Sequence, residues 1–274
     1  MVTLGVATFA LGAALLVPVA FSDPNGVDPY MVRLSVTSLL LLGAAAAWRR
    51  LRDGRAVLIA VAAVTCSFTL LSAGPQALVD LFGERAGSGA AQIFWASLAQ
   101  LIATLGLAAV AIFRLDATTR PVLRLRRFGW RAVLITLGGT AVLLLVCLAL
   151  PATLLGRYGI QPVAIARDLP WLGPASLMQA LSQELQFRGL LMGSLERVAG
   201  PQWANAAQAL FFGLTHLAVN YQGPVAPFVP VTVAVGLSLG WIVQRTGSLW
   251  PAILIHAAAD IAITVAVLPG LYGF

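Results

Sequence analysis

Residues 91–113, AQIFWASLAQLIATLGLAAVAIF, hold no charged side chain. About 20 such residues cross the hydrocarbon core of a bilayer, and a water-soluble surface helix does not run this long without charge. Comparable apolar runs at 2–21, 31–48, 56–75, 132–154, 174–194, 202–220, 228–244 and 249–268 fill most of the chain. Of its 274 residues 59% are hydrophobic and 10% charged, against about 25% charged in soluble domains. The expectation is an all-α, polytopic transmembrane helix bundle of eight or nine spans, without a soluble domain, repeat or low-complexity tract. The opening MVTLGVATFALGAALLVPVAF lacks a basic n-region and exceeds a signal-peptide core, so it reads as a retained first span.

Charge then orients the spans. All 17 basic residues are Arg, a bias we attribute to a GC-rich bacterial genome. Arg49, Arg50, Arg52 and Arg55 share one loop. Arg114, Arg120, Arg124, Arg126, Arg127 and Arg131 lie in and around another, two spans later. Both loops therefore lie on one side, which the positive-inside rule makes cytoplasmic. The segment SDPNGVDPY has two aspartates and no basic residue, as an outer loop should. The N-terminus is then cytoplasmic, in what reads as a bacterial inner membrane. The net charge of +7 is accounted for by topology and does not suggest nucleic acid. Cys66 and Cys147 fall in separate apolar runs and read as inert thiols.

Polarity at depth is concentrated in the last third. The first four spans are nearly free of ionisable groups, whereas Glu184, Arg188, His216, His256 and Asp260 all fall within later spans. A charge at the bilayer centre costs at least about 2.5–3.5 kcal/mol, so such groups face a cavity or one another. Either histidine alone reads as an interhelical hydrogen-bonding residue; five ionisable residues on three helices do not. Glu184 and Arg188 are four apart and share a helix face. His256 and Asp260 are also four apart, so the carboxylate can fix the imidazole tautomer. Gln183 points about 100° away from Glu184. From helix rise, Glu184, His256 and His216 lie about 15, 20 and 9 Å from the outer face. Ser248 is a plausible N-cap of the last helix, with Pro251 in its first turn.

Three motifs carry a resemblance to a known family. QELQFRG supplies Glu184, Phe187, Arg188 and Gly189; FGLTH supplies Phe212 and His216; HAAAD supplies His256 and Asp260. In this order they resemble the EExxxR, FxxxH and HxxxN/D motifs of the CPBP family, the intramembrane CAAX proteases and bacteriocin-processing (Abi) proteins. The lead-in TGSLWPAILIH, with Gly236 and Gly240 upstream, is similar too. The resemblance spans about residues 130–268, dividing the chain into N-terminal helices 1–128 without a recognisable motif and a catalytic core 129–274. It implies an intramembrane endopeptidase, a hydrolase cutting a membrane-associated or lipid-anchored peptide in a polar cavity of the C-terminal helices. The implied catalytic set is Gln183, Glu184, Arg188, His216, His256 and Asp260, with Phe187 and Phe212 lining the substrate pocket. The carboxylate at position 183 and His216 would activate water, while His256 and Asp260 would support the carbonyl or its oxyanion.

This chain departs from the pattern at one decisive place, since Gln183 stands where the family has its first glutamate. Glutamine cannot accept a proton at neutral pH, and general-base help is worth about 10²–10⁴-fold in rate. The chain is then a natural non-catalytic member, an enzyme in which Glu184 has taken over, or a glutamate enzyme trapped by the minimal Glu-to-Gln change. The last is favoured. Asp260 stands where Asn is more familiar, and an ionised carboxylate there would oppose an oxyanion. No cofactor is favoured; zinc on His216, His256 and Glu184 is the alternative. The rival functions are a catalytically silent membrane binding or immunity protein and, less favoured, a proton-coupled transporter, for which no inverted repeat is visible.

Overall fold

The computed structural model describes residues 35–36, 38–40, 42–43, 46–47, 54–83, 88–115, 121, 123–126, 129–151, 162–216 and 228–272. The first expected span and the acidic SDPNGVDPY loop lie outside these residues, as do half of the second span, Arg49, Arg50, Arg52 and positions 217–220. No strand occurs among the described residues, so the all-α expectation holds. We number the helices α1 (Arg55–Phe82), α2 (Gly89–Arg114), α3 (Trp130–Pro151), α4 (Pro162–Glu184), α5 (Met192–Ala199), α6 (Pro201–Thr215), α7 (Phe228–Thr246) and α8 (Trp250–Tyr272). Between α4 and α5 the chain forms a π-helical turn, Leu185–Leu191. No residue type in LQFRGLL signals it.

Local chemistry explains the boundaries. The Ser88 hydroxyl accepts the Ala91 N–H at the start of α2, and Arg114 sits in its last turn, where a cation suits the helix dipole. Gly200, at φ +79°, ends α5, and Pro201 then opens α6 from the first helical position. Gly247, at φ +65°, closes α7 through its N–H to the Val243 carbonyl at 2.9 Å. The Ser248 hydroxyl accepts the Trp250 N–H at 3.3 Å and donates to the Arg126 carbonyl at 2.6 Å. Ser248 thus caps α8 as expected and also ties it to the loop before α3. Pro170 and Pro174 lie inside α4, where each removes a backbone donor.

Packing puts the π turn at the centre. α1 is buried on every side from Ala56 to Thr65. It packs on α2 and on the π turn, while α2 and α8 flank α4, α3 lies on α8, and α6 pairs with α7. One apolar core joins Val57, Val61 and Phe68 of α1 to Phe187, Leu190, Phe212, Leu239 and Ile253. The outside is apolar as well: Trp130, Leu134, Leu137, Val142 and Leu145 are exposed along α3, as are Ile102 and Phe113 on α2. Meanwhile Gln100, Glu184, Gln186, Arg188 and Gln208 are completely buried. α2 alone among the described helices is both long and apolar enough to cross a membrane; apolar stretches in α1, α3 and α8 are shorter.

The α6–α7 pair is held unusually close. A Cβ built on Gly236 would stand 3.0 Å from Ala209 Cα, and one on Gly240 would stand 1.9 Å from Asn205 Oδ1. The GxxxG spacing lets the backbones approach to this distance. The α7 carbonyls then become reachable: Asn205 donates to Leu237 O at 3.0 Å, and Gln208 donates to Gly236 O at 2.9 Å.

Candidate functional site

Glu184 ends α4, and its Oε1 is where the buried polar groups meet. Arg188 Nη1 donates to it from the π turn at 2.8 Å, and His256 Nδ1 donates from α8 at 2.8 Å. Glu184 and Arg188 are fully inaccessible, and the His256 side chain is 6% exposed. The four-residue spacing places Arg188 over Glu184 as expected. His256 depended on tertiary packing and could not have been assigned to Glu184 from spacing. The His256–Asp260 contact is looser, Nε2 to Oδ1 at 3.5 Å. Glu184, rather than Asp260, therefore fixes the orientation of the His256 ring. Because Glu184 and His256 touch, the sequence-based depths of about 15 and 20 Å collapse into one layer.

His216 is the C-cap residue of α6, where its expected span was to continue to residue 220. Its Nδ1 lies 2.7 Å from the Phe212 carbonyl. A carbonyl only accepts, so Nδ1 carries the proton and Nε2 keeps its lone pair. Phe212 holds the two histidines together. Its ring centroid is 4.8 Å from that of His216 and 5.5 Å from that of His256, edge to face in both cases. Arg188 lies over the same ring at 4.5 Å, and Phe187 packs against it at 5.3 Å. Phe187 and Phe212, expected to line a substrate pocket, are both buried.

Gln183 precedes Glu184 on α4. It is buried, and its amide oxygen has no hydrogen-bond partner among the described residues. The same holds for Glu184 Oε2, Asp260 Oδ2 and Arg188 Nε. Gln100 Oε1, Gln186 Oε1, Gln208 Oε1 and Arg124 Nη1, away from this cluster, are buried without a partner among the described residues as well. The structure thus gathers Glu184, Arg188, Phe212, His216, His256 and Asp260 around one ring and one carboxylate. Gln183 adjoins them in sequence, with no hydrogen bond joining it to the cluster.

The Nδ1 atoms of His216 and His256 are held by the Phe212 carbonyl and by Glu184, which leaves Nε2 as the remaining nitrogen of each ring. Among the described residues no three His, Cys, Asp or Glu side chains are arranged to hold a metal ion.

Sequence reasoning missed part of the support. Arg188 Nη2 donates to Gly236 O at 3.3 Å, the carbonyl that Gln208 also holds, and Gln208 donates to Asn205 Oδ1 at 2.7 Å. The only signal was the pair of glycines at 236 and 240, which says that two backbones meet but not which side chains exploit it.

Residues 165–262 match the family model described as Type II CAAX prenyl endopeptidase Rce1-like. This segment is similar to the Rce1-like domain, of the kind the CPBP resemblance implied. No curated protein matches the chain. The matched segment begins inside α4 and contains every motif residue from Gln183 to Asp260. α1, α2 and α3 lie ahead of it, although α1 and α2 pack directly on its π turn. The match supports a membrane-associated protease in general.

Proposed function

We propose that this chain is a polytopic intramembrane endopeptidase that cuts a prenylated or otherwise membrane-anchored peptide by water attack within the helices of its Rce1-like domain. The observation that carries the reading is the shared position of Glu184, Arg188 and His256 around one buried carboxylate oxygen, with His216 turned to the same Phe212 ring.

The membrane setting follows from inside-out polarity and from spacing. Phe94 packs edge to face with Trp95 and Trp171 at one end of α2 and α4, as in an interfacial aromatic belt. Thirteen residues separate Trp171 from Glu184, about 20 Å of helix, and six separate Trp250 from His256, about 9 Å. Since Glu184 and His256 touch, the aromatic layers stand about 29 Å apart along the helices, close to the hydrocarbon thickness of about 30 Å. The Trp250 end, where Glu196 accepts from Arg124 and Gln244 and Ser248 donates to the Arg126 carbonyl, is rich in arginine. The positive-inside rule makes that end cytoplasmic.

His216 Nε2, with its proton held on Nδ1, is the base that faces water. A carboxylate at position 183 would share that task, and the amide of Gln183 can only orient the water. With Nδ1–H held on Glu184, His256 donates Nε2–H to the scissile carbonyl only as an imidazolium, the form that the Glu184 carboxylate beside it favours. Arg188 balances the charge of Glu184 beside His256. In this reading residues 1–128 form a membrane platform and 129–274 the catalytic core. Hydrolysis in this reading is carried by the side chains, with no cofactor favoured over them.

The test is Gln183→Glu in proteoliposomes containing prenylated, single-span or lipid-anchored peptides. Cleavage is expected to rise by about 10²–10⁴-fold over the chain as written. The absence of cleavage of every anchored substrate by both forms would end the proteolytic reading. Gln183 itself favours one alternative, a silent binding protein, for which both forms bind prenylated peptide and neither cuts it.

A further inference from the structure

The π turn that carries Arg188 is gripped from two sides. On one side Arg188 reaches Glu184 and Gly236 O. On the other, Gln186, two positions earlier and so on the opposite side of the helix, uses both amide hydrogens on helices that precede the Rce1-like segment. Gln186 Nε2 donates to Ser67 Oγ of α1 at 2.8 Å and to Thr104 Oγ1 of α2 at 2.6 Å. Gln100 Nε2 also donates to Ser67 Oγ, at 3.0 Å, and Thr104 Oγ1 donates to the Gln100 carbonyl at 2.8 Å. Ser67, Gln100, Thr104 and Gln186 are all completely buried. These residues carry no charge, and together they form an interhelical knot in a region whose sequence is otherwise apolar.

A π turn needs such support. Its bonds run to the fifth residue, as Met192 N–H does to Phe187 O, and single π turns persist mostly where surrounding contacts hold them, often at functional sites. Relaxation to α-helix would change the rotation of all that follows by about 100° per residue gained or lost. Apolar packing alone specifies rotation weakly, whereas a buried amide that must satisfy two hydroxyls specifies it sharply.

We propose that Gln186 is a positioning residue for the candidate site, and that the α1–α2 pair, through Ser67 and Thr104, holds the π turn in the register that lets Glu184 engage Arg188 and His256. The proposal takes from the functional reading only that this engagement belongs to the working site.

The test uses the full chain in detergent micelles with ¹⁵N-labelled histidine. The chain has two histidines, so the spectrum has two Nδ1–H groups, and His256→Gln identifies which belongs to His256. Gln186→Leu is expected to abolish the His256 Nδ1–H signal or move it beyond its linewidth, leaving that of His216 in place. Thr104→Val, which removes one of the two anchors at nearly constant shape, is expected to move it in the same direction and less far. Gln179→Leu removes a comparable α4–α2 hydrogen bond, Gln179 Nε2 to Ser97 Oγ at 2.8 Å, and is expected to lower stability without moving the His256 signal. An unmoved His256 signal in folded Gln186→Leu and Thr104→Val would overturn the proposal, as would an equal shift in Gln179→Leu. Should Gln186→Leu fail to fold, Thr104→Val decides alone. In the Gln183→Glu background the same Gln186 change should lower kcat and leave KM unchanged. If that background cuts nothing, the functional reading fails while the spectrum still decides this one.

Discussion

Removing the charge of Glu184 tests the centre of the site without changing its shape. In Glu184→Gln the Arg188 guanidinium stays fully buried and loses its counter-ion. Breaking one partner of a buried pair costs about 3–5 kcal/mol. Arg188 keeps two other contacts, Gly236 O at 3.3 Å and the Phe212 face at 4.5 Å, which hold this loss near the lower end, about 3 kcal/mol. His256 Nδ1, at 2.8 Å from Glu184, exchanges a charged acceptor for a neutral one, adding about 1 kcal/mol from the difference between the two bond types. The expected destabilisation is about 4 kcal/mol. Adding Arg188→Met removes the stranded charge, so the double variant should recover at least half of that loss. Reversible unfolding of the full chain in mixed micelles, followed by circular dichroism, measures both. The reasoning fails if Glu184→Gln loses less than about 1 kcal/mol, or if the double variant is no more stable than the single one.

Two further tests address the frame around the site. Gly240→Ala would drive a Cβ to 1.9 Å from Asn205 Oδ1 and 2.7 Å from Gln208 Nε2; loss of their bonds to the α7 carbonyls should cost about 2–4 kcal/mol. By contrast Gly138→Ala, with open space around it, should be neutral or stabilising by up to about 1 kcal/mol, both read by the same unfolding assay. Glu196 accepts from Arg124 and from Gln244, the latter at 2.8 Å. Glu196→Ala should therefore release the loop before α3 and speed tryptic cutting at Arg124 and Arg126; unchanged cleavage would show that the Leu249 N–H to Arg124 O bond suffices to hold it.

What could be read from the sequence divides along a physical line. The charge-free run at 91–113 and the helical spacing of Glu184 and Arg188 are local properties, and they fixed α2 and one ion pair correctly. Spacing also names Asp260, four residues on, which does reach His256 Nε2 at 3.5 Å, but it cannot see Glu184 arriving from another helix. The π turn was invisible because no residue type encodes it. LQFRGLL would continue an α-helix as readily, and only the grip of Ser67 and Thr104 on one side and of Glu184 and Gly236 on the other makes the wider turn the better fit. This also explains why α1 and α2 carried no motif. Their contribution is made by a serine, a threonine and a glutamine, residues that mean little in a sequence until a second buried amide is brought against them. A search for charge finds the carboxylate and guanidinium of such a site and passes over the neutral groups that set their angle. If Gln186 orients the turn, the part of this chain that decides whether the motif residues meet lies partly outside the segment that bears the motifs.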